Sequence, residues 1–286
     1  SHSGKTELRM ILGSHPGLSM TRRTKMWDRF HGRFGDLRHA DNFHRCLKAL
    51  LEDDRVCALN PDEGRIVREF PAGLRSYARL FGLIHQYHAE RCGKRRWGEQ
   101  LQWIEQFADP IFETFPSARM IYMVRNPLSR RSEAAAKGGT RKGRGALGWE
   151  TAAWLRSVAL AERNQRLYPG NFQVVRFESL AADPAAASRK VCSFIEEDYV
   201  PEMDRAISSL HVDAQTLPLP SAETASDSAF IDRYAGPSLR ALGYPPLSTE
   251  VSTGHRLPLV VRPIDRAAMH ALTICGVLPP KPRPRR

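Results

Sequence analysis

No stretch of this sequence reaches the roughly 18 consecutive apolar residues that a membrane-spanning helix needs, because Arg, Lys, Asp or Glu interrupts every apolar run. No membrane partner is expected for the segment given. Cysteine is sparse as well. Cys46, Cys57, Cys92, Cys192 and Cys275 form an odd, scattered set without a CxxC pair or a His at ligand spacing, which argues against a disulfide framework and a structural zinc. The reading is reduced thiols in a reducing compartment, hence a cytoplasmic location, with no metal bound. Internal repeats are absent. The one biased tract is the closing PPKPRPRR, which cannot bury apolar area and predicts an extended, mobile end. Negative charge is the minority sign: 43 Lys and Arg face 31 Asp and Glu, a formal net charge of +12 over 286 residues. An anionic partner follows, and charge alone does not choose among nucleic acid, an acidic surface and a phosphorylated small molecule.

A 42% hydrophobic and 26% charged composition is that of an ordinary globular chain. The expected organisation is one principal domain over residues 1–245, with a helical insertion at 18–96, followed by a Pro- and Arg-rich extension at 246–286 that is partly disordered. The opening SHSGKT is a small, polar, Gly-containing loop. Leu8, Ile11 and Leu12 then recur at helical spacing until His15-Pro16-Gly17. Such a helix N-terminus offers unpaired backbone N–H groups and the positive end of a dipole, so it stabilises an anion. Lys5 adds a charge and Thr6 a hydroxyl. The chain opens on Ser1 rather than Met. Residues are therefore expected to precede it, and the strand that would feed this loop is expected among them.

Met120–Val124 and Phe172–Arg176 are short continuous apolar runs of strand-forming residues, as interior strands of a parallel sheet require. A helix between them, over 150–168, predicts a right-handed crossover. Further helices are predicted near 41–53, 74–92, 100–115 and 229–242, and another after the Asp183-Pro184 cap. The fold class is therefore α/β, three-layered, with a central mostly parallel sheet, a P-loop-like nucleotide site and a missing or truncated first strand. Ligands of open parallel sheets bind at the carboxyl ends of the strands. That edge would hold the loop at residues 1–6, Arg125 and the turn at Arg176–Glu178. A strand ending in Arg, rather than in the Asp that would hold Mg²⁺, points to phosphate binding without a metal.

These motifs resemble the sulfotransferases that use 3′-phosphoadenosine 5′-phosphosulfate (PAPS), in their bacterial-type and tyrosylprotein-like branch. SHSGKTELRMILGSHP is similar to the 5′-phosphosulfate loop RSGTTLLRxLLxxHP. The stretch from Trp97-Gly98-Glu99 to FPSARMIYMVRNP resembles the segment from WGDK to VRDP. Tyr168-Pro169 through VVRFESLAADP resembles YP...VVRYEDLxxDP. The ordered set spans residues 1–242. The resemblance implies sulfuryl transfer from PAPS, as co-substrate, to a small-molecule, carbohydrate or peptide acceptor. It places Ser3, Gly4, Lys5, Thr6 and Glu7 at the 5′-phosphosulfate, Arg125 and Ser132 at the 3′-phosphate, and Arg176 beside the nucleotide. Lys5 would stabilise charge on the leaving oxygen.

The departures are specific. His2 and Lys5 stand where the family has Arg and Thr, and SGKT also looks like the end of a Walker A loop. Glu133 stands where a Ser helps bind the 3′-phosphate, so its charge is expected to repel the ligand, with Ser132 or Ser129 taking over. Gln100 replaces the WGDK lysine. An acceptor must lose a proton, and Glu99 leads as the base because it holds the acidic motif position, followed by His31 and then Asp28. His85 and His88 read as solvated or core residues. The basic, glycine-rich stretch at 137–149 either closes over the nucleotide or is a solvated loop. It lacks interleaved aromatics, so no specific nucleic-acid partner is expected. Two rivals remain open: a P-loop kinase, from SGKT, and a degenerate nucleotide- or polyanion-binding module without turnover.

Overall fold

The computed structural model describes residues 3–136, 145–210, 222–247 and 263–274. Helix α1 (Lys5–Gly13) is followed by strand β1 (Leu18–Thr21) and then by five helices: α2 (Met26–Arg29), α3 (Ala40–Leu51), α4 (Asp54–Cys57), α5 (Glu63–Glu69) and α6 (Tyr77–Arg91). Strand β2 (Arg96–Glu99) returns to pair in parallel with β1, and α7 (Ala108–Thr114), β3 (Met120–Val124) and α8 (Pro127–Ala136) follow. The long helix α9 (Ala146–Leu167) leads to β4 (Phe172–Arg176), parallel to β3 with Val124 opposite Arg176. Helices α10 (Phe177–Ala182), α11 (Pro184–Ile195), α12 (Pro201–Ser209), α13 (Ala222–Ala241) and α14 (Pro263–Ile274) complete the order.

The α/β expectation holds, and the sheet is realised among the described residues as two short parallel pairs, β1–β2 and β3–β4. Around β3–β4 three layers are visible in how the side chains alternate. Tyr122, Val124 and Phe172 pack with Trp154 and Val158 of α9 and Ile231 and Leu239 of α13. Met123 and Val175 point the other way, onto Leu8, Ile11 and Leu12 of α1, Val191 of α11 and Met203 of α12. A strand covered on both faces is apolar along its whole length, which is why these two runs read as strands.

A third core belongs to the helical segment: Trp27, Phe43, Leu47, Leu50, Phe70, Leu80, Ile84 and Tyr87 are buried together. Its helices carry the start signals expected of them. Asp53, Asp62, Ser76 and Asp183 each accept a hydrogen bond from a first-turn backbone N–H. The segment at 18–96 is not wholly helical, since β1 and β2 bracket it and tie it to the rest. The helix expected at 100–115 is interrupted, with a 3₁₀ turn at Ile104–Phe107 entered from Trp103 at φ 55°. Within the extension at 246–286, α14 is ordered against α9: Ala152 and Met269 pack together, and Asp265 accepts from the Gly148 N–H at 2.9 Å. The closing PPKPRPRR lies outside the described residues, as do Ser1, His2, Cys275 and positions 137–144 of the basic loop. The four described cysteines are free thiols, and no helix among the described residues is long and apolar enough to cross a membrane.

Candidate functional site

The opening loop lies over the carboxyl ends of β3 and β4. Gly4 caps α1 at φ 77°, and its Cα approaches so closely that a Cβ there would stand 2.4 Å from the Phe177 ring and 3.2 Å from Met123. Only glycine combines that left-handed backbone with that contact. Asn126 and Pro127 explain why β3 stops where it does. The Asn126 carboxamide accepts from the Leu128 N–H at 2.9 Å, capping α8, and Pro127 starts the helix. Glu178 then joins three elements, accepting from the Asn126 N–H at 2.9 Å and from the Tyr244 hydroxyl at 2.8 Å.

Ser3, Lys5, Glu99, Glu105, Arg125 and Arg130 line one cavity of about 560 Å³, together with Trp103, Trp154, Ser157 and residues of α6 and β2. The volume falls within the range of small-molecule sites, roughly 300–1,000 Å³. Two of its cations are in an unusual state. Burial lowers the Lys5 ammonium below its ordinary value, and the charges of Arg130 and Arg23 push the same way against the pull of Glu105. Burial likewise lowers Arg130. Among the described residues neither Lys5 nor Arg130 has an ion-pair partner, although Lys5 feels the charge of Arg130, and Arg130 is drawn by Glu150 and opposed by Arg125 and Arg131. Cations withdrawn from water are ordinarily paired, and among the described residues no carboxylate stands at ion-pair distance from these two, although Glu105 attracts Lys5 and Glu150 attracts Arg130 from farther away.

Within reach of the Lys5 charge stands Glu105, 4% exposed. Burial raises its carboxyl above the ordinary value, with the Ser157 hydroxyl, the backbone and the Lys5 charge opposing the rise. Ser157 donates to Glu105 Oε1 at 2.5 Å, and the Tyr122 hydroxyl lies 2.8 Å from Ser157 Oγ. A desolvated carboxyl with a raised pKa in a cleft is what proton abstraction near neutral pH requires.

The residues expected from sequence divide. Ser3, Lys5, Arg125 and Glu99 reach the cavity, and Gly4 shapes the loop beside it. Glu99, however, is hydrogen-bonded on one oxygen and faces a buried histidine with the other. Its side chain is fully buried, accepting from the Thr24 N–H on one side and facing His85 Nε2 at 3.2 Å on the other. His85, expected to be either solvated or core, is a core residue and places Nδ1 2.9 Å from the Phe81 carbonyl. Thr6 points elsewhere, its hydroxyl accepting from Gln100 Nε2 at 3.1 Å, while Gln100 Oε1 accepts from Arg9 at 3.2 Å. Gln100 therefore laces α1 to the end of β2. Glu7 is half-buried in the first turn of α1 and does not line the cavity.

His31 is not brought to the cavity. Its ring sits among Trp27, Tyr77 and Phe107 at 5.0–5.3 Å, where burial lowers its pKa. Asp28 is exposed on α2. Ser132 donates back to the Leu128 carbonyl at 3.1 Å, and Arg176 turns to the Gly243 carbonyl at 3.0 Å and stacks on Tyr244. Neither lines the cavity. Glu133 is not a bare repulsive charge, since it forms an ion pair with Arg125. Arg130 and Glu105 were missed by sequence reasoning. The available signals were a second Arg soon after the β3 arginine, and a Glu between Ile104 and Phe107.

Comparison with known proteins gives one family and one fold. The chain matches the Sulfotransferase family across residues 1–201. A sulfotransferase from Mycobacterium avium is similar in structure, with a TM-score of 0.51 at 12% identity over 87% of this chain and 76% of that one. The sulfotransferase domain of the olefin synthase from Synechococcus PCC 7002 gives 0.48 at 16% identity, covering 95% of this chain and 91% of its own. A sulfotransferase from Alicyclobacillus acidocaldarius gives 0.47 at 17% identity over 86% and 93%. At these identities the likeness concerns fold alone. No curated protein matches the sequence.

Proposed function

We propose what this chain does from the premise that it belongs to the sulfotransferase family: it moves a sulfuryl group from PAPS to a hydroxyl or amine acceptor. The observation that carries the reading is the pair of half-buried cations, Lys5 and Arg130, facing one cavity without a carboxylate at ion-pair distance among the described residues. A site built this way fits an anion that arrives with its ligand and does not fit an apolar one. The first-turn N–H groups behind Gly4 add donors and a helix dipole to the same end.

When bound, the donor would supply an activated sulfuryl group on a phosphate leaving oxygen. The protein's part is positioning and charge. Lys5 and Arg130 would hold the 5′-phosphosulfate and oppose the charge that develops on the leaving oxygen. Arg125, at the end of β3, would face the 3′ side of the adenosine. Glu105 takes the place first given to Glu99 as acceptor of the proton, because the Glu99 side chain is fully buried against Thr24 and His85 while Glu105 stands in the cavity beside Lys5. Eight residues of α6 and β2, among them Phe81, Trp97 and Glu99, line the same cavity and would form part of the acceptor side.

Calorimetric titration tests the reading. Metal-free adenosine 3′,5′-bisphosphate should bind in preference to Mg²⁺-ATP, and Lys5→Ala and Arg130→Ala should each weaken it about tenfold or more, the scale of a charge-assisted hydrogen bond. A preference for Mg²⁺-ATP would favour the kinase suggested by SGKT, and an unchanged affinity in both variants would reject the site.

A further inference from the structure

The two ends of the cavity differ in how their positive charge is balanced. Lys5 and Arg130 have no carboxylate at ion-pair distance among the described residues, whereas Arg125 does. Its guanidinium is 2% exposed, lies 4.0 Å from the centre of the Phe177 ring, and is ion-paired through Nη1 to Glu133, eight residues on in α8. The backbone is held too, with Trp154 Nε1 donating to the Arg125 carbonyl at 3.0 Å. The Glu133 carboxylate is the more exposed partner, at 19%. A phosphate approaching Arg125 therefore meets a matched pair instead of a bare guanidinium. It must displace a carboxylate from a buried cation or sit against a like charge, and both weaken its grip. A hydroxyl meets no such obstacle, because a carboxylate accepts its hydrogen bond. Dinucleotide folds read ribose hydroxyls with a carboxylate in the same way and use Arg where a phosphate replaces the hydroxyl.

We infer that Glu133 sets donor specificity at this site: it supplies the counter-charge to Arg125, so that a nucleoside 5′-phosphosulfate with a free 3′-hydroxyl is bound about as well as the 3′-phosphorylated donor. This rests on the donor reading given above, in which the adenosine lies between Lys5 and Arg125. The 5′ end then carries the affinity, through the unmatched cations, and the 3′ end contributes little. Removing the carboxylate takes a negative charge away from Arg125, favours phosphate there and creates a selectivity that the native chain lacks.

The test is calorimetry with adenosine 3′,5′-bisphosphate and adenosine 5′-monophosphate, two probes that differ only at the 3′ position. The native chain should bind them within about threefold of each other. Glu133→Ser should tighten the bisphosphate by about tenfold or more, the scale of one charge-assisted contact, while leaving the monophosphate nearly unchanged. Glu133→Gln, which keeps the shape and removes the charge, should do the same, so a folding defect in one variant does not hide the effect. A native preference for the bisphosphate above about tenfold that neither substitution increases would overturn the inference while leaving the donor reading intact. Failure of every nucleotide to bind the native chain and both variants would overturn the donor reading and the inference with it.

Discussion

Gly4 carries the tightest steric constraint of the site. A side chain there must adopt φ 77° and stand 2.4 Å from the Phe177 ring. Gly4→Ala should cost about 1–3 kcal/mol of stability from backbone strain and displace the loop that presents Lys5. Thermal unfolding together with nucleotide titration checks both effects. Glu105 and Lys5 make a second prediction, about pH. In the mechanism proposed above, turnover would need Glu105 ionised and Lys5 protonated. Burial raises the first from its ordinary 4.5 and lowers the second from its ordinary 10.5. Activity should therefore fall on the acid side above pH 4.5 and on the alkaline side below pH 10.5, a bell narrower than the free side chains would give. Glu105→Gln should lower turnover of a radiolabelled donor, measured against a panel of acceptors, by about 10²–10⁴ and abolish the acid limb, with nucleotide affinity retained. Equal turnover in the variant would remove Glu105 from the reaction.

At the scale of elements, the contact between α9 and α14 is the most sensitive. A Cβ on Gly148 would lie 2.2 Å from the Asp265 carbonyl oxygen, backbone that has no rotamer to give way. Gly148→Ala should push α14 off, costing about 1–3 kcal/mol and exposing Met269. Hydrogen exchange confined to 263–274 would show it, and native protection there would contradict it. Glu99 makes a similar point about β2, which it ties to Thr24 and to α6 through His85. Glu99→Ala strips a buried partner and should destabilise the chain by about 3–5 kcal/mol in denaturant unfolding. These elements also mark what was legible. β3 announced itself because covering on both faces makes every position apolar, and β4 through Phe172, Val174 and Val175, despite the polar Gln173 and Arg176. β1 and β2 did not, because LSMT and RWGE are four residues long, mix polar with apolar, and become strands only by pairing with each other. Lys5 and Arg125 were readable from their places at a helix start and a strand end. Arg130 and Glu105 resembled solvated helix residues, since only the approach of α9, with Ser157 and Trp154, closes water out around them.

Across the whole molecule, the net charge of +12 attracts any polyanion, whereas the proposed seat is buried and small. Binding of a mononucleotide should therefore depend weakly on salt, and only non-specific polyanion binding should fall steeply with it. Titrations of adenosine 3′,5′-bisphosphate and of a mixed-sequence oligonucleotide at several NaCl concentrations separate the two. The helical segment with its own core completes the cavity from the α6 and β2 side, so under the proposed function the acceptor would be read by residues remote in sequence from the donor loop. The most direct measurement is a crystal structure with adenosine 3′,5′-bisphosphate. The 5′-phosphate should lie within hydrogen-bond distance of Lys5, Arg130 and the first-turn N–H groups of α1, with the ribose turned toward Arg125 and Glu133. A nucleotide bound elsewhere, with Lys5 and Arg130 making no contact to phosphate, would contradict the account.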